Sequence, residues 1–408
     1  VEVHPTLVNA TITQGIATAQ AMVPPPNSLN PVVIRVYPAV YNEDNSTPLQ
    51  IPDGVNIVGL SYLSVIIVAN SAGYLFRVIG DSTLENLTIA GTAGTIGISA
   101  EGDLARINNV FFNACDTGIY HTFGRITVTN CLGISPATVG VSLIDINTTG
   151  SAIIDNVELT SGTEIAKGIY VQQGDVVIQN CSLSDCNECI VVEGGNVTIN
   201  DCNLYAGARS VTNGLRVSGG VCDISSLVCK SNGDTMNTGI LINGASGKHS
   251  LHGAVCEDMV FGIVIDSVEN VSVNDIVSNG ITNATMLIDN SKKIDINDAN
   301  ANGGFIFIDT VNDSEFVANN LDIKDVSVPI SISGVPGNYF VVRNSRISNS
   351  NELNITNSDI LLENTTLTDF TTGLFGAGTC NLYSKGNTFT NCTSGIIAYT
   401  KNSSHKKF

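Results

Sequence analysis

Asp175-Val176-Val177-Ile178-Gln179-Asn180-Cys181 returns about 21 residues later as Asn196-Val197-Thr198-Ile199-Asn200-Asp201-Cys202. Looser copies are Arg125-Ile126-Thr127-Val128-Thr129-Asn130-Cys131 and Val271-Ser272-Val273-Asn274-Asp275. Each copy joins a Gly- and Asn-rich turn to a short apolar strand, then a polar corner, then a second strand opening on Gly-Ile or Gly-Leu. Those openings recur at Gly118, Gly140, Gly168, Gly214, Gly239, Gly262, Gly373 and Gly395. The longer step from Gly140 to Gly168 predicts a wide loop near Thr148–Thr163. A period of this length specifies a solenoid that gains one coil per repeat, about fifteen coils here. The expected class is all-β, a right-handed parallel β-helix with an N-terminal capping helix.

Working outward, residues 1–60 read as the cap and first strands, 61–400 as the parallel β-helix, and 401–408 as a polar tail. Ile12, Ile16 and Ala19 form a helical stripe that Pro24-Pro25-Pro26 ends. Val32–Val36 reads as a strand, and Tyr37–Tyr41 as a turn. A helix across the open end of a stack covers core and strand edges that would otherwise face water.

The segment from the helix through Tyr37-Pro38-Ala39-Val40-Tyr41 to Ile51-Pro52 and Ile57-Val58-Gly59 resembles the N-terminal part of pectinesterase-like and pectin-lyase-like proteins. Ala39 stands where their turn carries Gly. The resemblance implies the fold of that superfamily, whose members have many unrelated functions. Their catalytic motifs do not carry over. Gly304-Phe305-Ile306-Phe307-Ile308-Asp309 has the wrong order for a pectinesterase-like site. The D-D and G-H-G of polygalacturonase-like sites and the R-x-P-x-x-R of pectate-lyase-like sites are absent. Asp185 with Glu188, or Asp322 with Asp325, would form an acid–base pair only if coil alignment brought them to one groove. No catalytic residue is assigned.

Net charge is −19, which disfavours nucleic acid, an anionic membrane surface and unaided binding of an acidic polysaccharide. No run is long and apolar enough for membrane insertion. The 11 cysteines lack the spacing of a disulfide scaffold. Cys181 and Cys202 fall at the same point of successive coils and read as small buried hydrophobes, in keeping with a reducing compartment. Cys186 and Cys189 form one C-x-x-C without a second, so neither metal nor cofactor is expected. His249 and His252 fall on opposite faces of a strand, and His121 points inward.

Outward residues of equivalent strands form rows along the coils. On the Gly-Ile strands the row includes Tyr120, Ser142, Tyr170, Leu241, Val264, Leu287 and Ile306. The last four are apolar and consecutive, and a contiguous patch marks an interface. Tyr120 and Tyr170 form a candidate carbohydrate-binding platform. The expected function is a non-catalytic structural or attachment protein. β-helices resembling this one serve as fibres, spikes and decorations, which sets it on a virion surface or in an extracellular setting. Its expected partners are further copies of itself, as in a homotrimer, other structural proteins, or glycans. The alternative is a polysaccharide-processing hydrolase, lyase or esterase with carboxylates in a surface groove.

Overall fold

The computed structural model describes residues 1–134, 142–160, 167–207, 210–232, 236–245, 247–309, 315–326, 328–333, 339–377, 381–399 and 404–407. Two compact units, Val1–Tyr205 and Ala206–Phe408, divide the chain. The chain is an all-β parallel solenoid of about 14 turns with one short helix. Gly140 lies outside the described residues, as do 161–166, so the long step is described only in part. Where it is described, it is strand rather than loop, over Ser142–Asp155 and Glu158–Thr160.

In the first unit one coil runs through the strands Thr117–His121, Arg125–Thr129 and Leu132–Ile134. Each pairs in parallel with its equivalent one coil on. Strict alternation sends Ile126 and Val128 inward and leaves Thr127 half-exposed between them. In-register pairing then stacks the inward residues into columns: Ile107, Val128, Ile154, Ile178 and Ile199, and likewise Ile98, Ile119, Ile144, Ile169 and Ile190. All are at least 97% buried, so the columns are the core of this unit. The second unit repeats the device with Leu215, Ile240, Ile263 and Met286.

The corner after the Arg125–Thr129 strand needs a left-handed backbone, and Asn supplies it at Asn130, φ 54°. The Asn130 amide donates to Asn108 Oδ1 at 2.9 Å and accepts from Asn156 Nδ2 at 2.7 Å. Asn109 donates to Asn86 at 2.6 Å, and Asn180 to Asp155 at 2.8 Å. The corner asparagines therefore stack as a hydrogen-bonded ladder. Just past the corner, the thiols of Cys131, Cys181 and Cys202 donate to the carbonyls of Thr129, Gln179 and Asn200 at 3.3, 3.1 and 3.2 Å.

The helix Ile12–Gln20 buries Ile12, Gly15, Ile16 and Ala19. Thr11 caps it with Gln14 in a reciprocal capping box. The buried Glu43 carboxylate accepts from Ile12 N at 2.6 Å and from the Thr13 hydroxyl at 2.7 Å. A Cβ on Gly15 would fall 2.4 Å from Val3 Cγ2, so glycine is what lets the helix lie close on the strand Glu2–Val3. The strand Val32–Val36 forms as expected, whereas the expected turn becomes strand from Ala39, over Ala39–Glu43. At the other end 404–407 form a strand beside Asn381–Lys385, while 401–403 and 408 lie outside the described residues.

Candidate functional site

The outer face of the Gly-Ile strands is built by the same register that builds the core. In the first unit the row reads Gln50, Arg77, Ser99, Tyr120, Asp145, Tyr170 and Val191, of which Ser99 and Val191 are buried. Tyr120 and Tyr170 are both half-exposed and two coils apart, as the sequence implied. The residue between them is Asp145, not Ser142. Ile144 and Ile146 continue the inward columns, which turns Asp145 to the outside. Ser142 sits at the strand opening, opposite Lys167, and is buried. The alternation Ile144-Asp145-Ile146 was the signal in the sequence, and the Gly140 opening masked it.

Polar groups gather around this carboxyl. Gln172 Nε2 donates to Asp145 Oδ1 at 2.9 Å. Burial pushes the Asp145 carboxyl above the ordinary carboxylate range; Gln172 and Lys167 pull it back and Glu193 adds to the rise. Lys167 Nζ lies 3.2 Å from the centre of the Tyr170 ring, a cation–π contact, and 4.0 Å from Glu193. The Tyr170 hydroxyl donates to Glu193 Oε2 at 2.5 Å. A coil further back, Arg77 holds Glu101 at 2.6 Å, and the Ser99 hydroxyl donates to the same carboxylate at 2.8 Å. A partly buried acid between two tyrosine rings can stack on a sugar and hold a proton beside it.

In the second unit the equivalent strands carry an outer row of Arg216, Leu241, Val264, Leu287, Phe307, Ser331 and Asn354. Leu241, Val264 and Leu287 are half-exposed and in register, as expected. Ile306 is not in this row. It is 1% exposed and pairs with the inward Met286. The preceding coils carry one extra residue, Gly239, Gly262 or Thr285, between the first paired residue and the inward one; the strand Phe305–Asp309 lacks it. The register therefore shifts by one, and Phe307 takes the outer place. Leu241, Val264, Leu287 and Phe307 make a stripe about 14 Å long at one strand spacing per coil.

Two residues along each strand, a polar row borders the stripe: Asn243, Asp266, Asp289 and Asp309. Burial pushes the Asp289 carboxyl upward, and the flanking Asp266 and Asp309 charges push it further. The sequence reading missed this row, although the Asp two positions after Val264, Leu287 and Phe307 was its signal.

The remaining candidates resolve structurally. Asp185 and Asp325 hold left-handed corners at φ 58°, and Asp325 accepts from Asn349 at 2.8 Å. Asp322 lies 3.7 Å from Lys324. His121 and His249 are fully buried, and burial lowers the pKa of each; His252 is exposed, 3.0 Å from Asp275. Cys186 and Cys189 are buried free thiols. Among the described residues no group of three or more His, Cys, Asp or Glu is gathered to hold a metal.

No family model matches the chain, and no curated protein matches it in sequence. Solved structures similar to it include the catalytic domain of a GH87 α-1,3-glucanase variant in complex with tetrasaccharides, at 10% identity over 98% of this chain and 68% of that one, TM-score 0.43. Another is the N-terminal fragment of bacteriophage Phi29 gene product 12, at 13% identity over 90% and 88%, TM-score 0.43. A third is pectin methylesterase PemA from Erwinia chrysanthemi, at 12% identity over 71% and 92%, TM-score 0.33. The coil architecture itself is the all-β parallel solenoid read from the repeats. At such identities the likeness carries no argument about activity, which is left to the residues.

Proposed function

We propose that this protein is a non-catalytic structural or attachment β-helix, a component of a virion surface, that docks through the outer face of its Gly-Ile strands onto further copies of itself. The observation that carries this is the in-register stripe Leu241, Val264, Leu287 and Phe307 bordered by Asp266, Asp289 and Asp309. An apolar centre with a charged rim is the anatomy of a protein interface. The straight row suits side-by-side packing of coils, with the aspartates left hydrated at the edge.

The second reading is a polysaccharide-processing enzyme, favoured by Asp145, whose raised carboxyl between Tyr120 and Tyr170 has the character of a general acid. One set of measurements separates them. Sedimentation velocity of the purified chain is expected to show a concentration-dependent assembly that Leu287→Asp converts to monomer. A monomer at all concentrations, unchanged by Leu287→Asp, sinks the assembly reading. Sustained turnover of any glycan, lost in Asp145→Asn, transfers the assignment to the enzyme.

A further inference from the structure

A second outer face of the Ala206–Phe408 unit carries a different arrangement. It is formed by the strands Glu315–Asn319, Tyr339–Arg343, Asp359–Glu363 and Asn381–Lys385, paired in parallel and in register. Three outward rows cross it. The first includes Tyr339, Asp359 and Asn381, the middle one the buried Val341 with Leu361 and Tyr383, and the third Arg343, Glu363 and Lys385. Between the outer rows opens a groove of about 600 Å³, within the range of small-ligand sites.

The groove walls are chemically distinct. Tyr339 is exposed on one wall and Leu361 and Tyr383 are half-exposed on the floor, so these surfaces offer ring and aliphatic faces. Tyr339 and Tyr383 stand two strand spacings apart along the coil axis, about 9.6 Å. That leaves room for consecutive sugar rings. The opposite wall is a charged network: Glu363 is held by Arg343 Nε at 3.1 Å and by Lys385 Nζ at 2.8 Å. On the Tyr339 side, Asp359 Oδ1 accepts from the Asn381 backbone at 3.0 Å and from its side-chain amide at 2.8 Å.

The charges balance within the groove, two cations against two carboxylates, so no net field selects an anion. What remains is a set of paired donors and acceptors facing aromatic and apolar surface. Sugar hydroxyls meet the first, and the C–H face of a pyranose the second. The ion pairs hold the polar groups in place before a ligand arrives, which lowers the ordering cost of binding.

We propose that the groove between Tyr339 on one side and Arg343, Glu363 and Lys385 on the other, with Leu361 and Tyr383 on its floor, binds a neutral oligosaccharide. It lies on a different sheet face from the apolar stripe, and does not depend on the assembly reading.

The test uses the full chain with a panel of neutral gluco-, galacto- and manno-oligosaccharides and oligogalacturonate as the acidic comparison, read by calorimetry and by protein-observed NMR. At least one neutral oligosaccharide is expected to bind at millimolar concentration or below. Tyr339→Ala and Tyr383→Ala should each weaken that binding about tenfold, with Tm and sedimentation unchanged. Arg343→Gln should weaken it as well, whereas Tyr120→Ala and Leu287→Asp should leave it intact. No binding at millimolar sugar by a folded chain overturns the proposal. So does tighter binding of oligogalacturonate, or loss of binding in Tyr120→Ala with Tyr339→Ala unaffected.

Discussion

Asp289 stands one strand spacing from Asp266 on one side and from Asp309 on the other, about 4.8 Å each way. Parallel in-register stacking keeps the like charges close, and the partial burial of Asp289 limits its own hydration. Burial and the two neighbours hold the Asp289 pKa above its ordinary carboxylate value. A carboxyl whose folded pKa is raised favours folding in its protonated form. Its contribution is complete below the ordinary value and is lost as pH rises through the raised one. At neutral pH the ionised group therefore works against the fold. Asp289→Asn removes the charge and keeps a hydrogen-bonding amide, as Asn243 already does in the same row. Calorimetry should show a higher Tm for Asp289→Asn at neutral pH, with the difference shrinking below about pH 4. A lower Tm at neutral pH, or a gain that does not fade in acid, would mean the ladder is not under charge strain.

The corner between strands is set by two requirements at once, a left-handed backbone and a partner for each side-chain amide. Asn130 meets both, at φ 54° and with bonds to Asn108 and Asn156. Asn130→Gly keeps the backbone and loses the ladder bonds, a cost of about 1 kcal/mol. Asn130→Ala loses the bonds and adds left-handed strain of about 1–2 kcal/mol. Denaturant titrations should rank wild type above Gly and Gly above Ala; Ala equal to Gly would show that the corner relaxes. The same strands show what sequence can and cannot carry. Inward pairs such as Ile126 and Val128 were legible because alternation repeats in every copy. Outer rows inherit every error of phase. The missing residue before Ile306 moved one position from wall to core, and the Gly140 opening displaced Asp145 in favour of Ser142. The Tyr339 groove was invisible for another reason: its walls come from strands whose alignment no single repeat specifies.

At the scale of the molecule, 37 acidic against 18 basic residues coat a core of stacked aliphatic columns. Each coil touches only its neighbours, so a solenoid opens locally and from its ends rather than all at once. The free cysteines are natural reporters of that opening, because nine of the ten described are buried and Cys392 is half-exposed. Burial pushes the thiols of Cys115, Cys131 and Cys222 up to about 12, so almost no thiolate forms while the coils are closed. Cys392 follows the strand Thr388–Thr390 of the second unit and is half-exposed. Cys131, Cys181 and Cys202 line interior coils of the first. Under native conditions with a thiol reagent, followed by mass spectrometry of peptides, Cys392 should be modified first. Cys131, Cys181 and Cys202 should lag and follow the rate of unfolding, as measured by circular dichroism under the same conditions. If Cys181 and Cys202 react as fast as Cys392, the interior coils breathe as freely as the end, and the stacked columns do not confer the stability their burial implies.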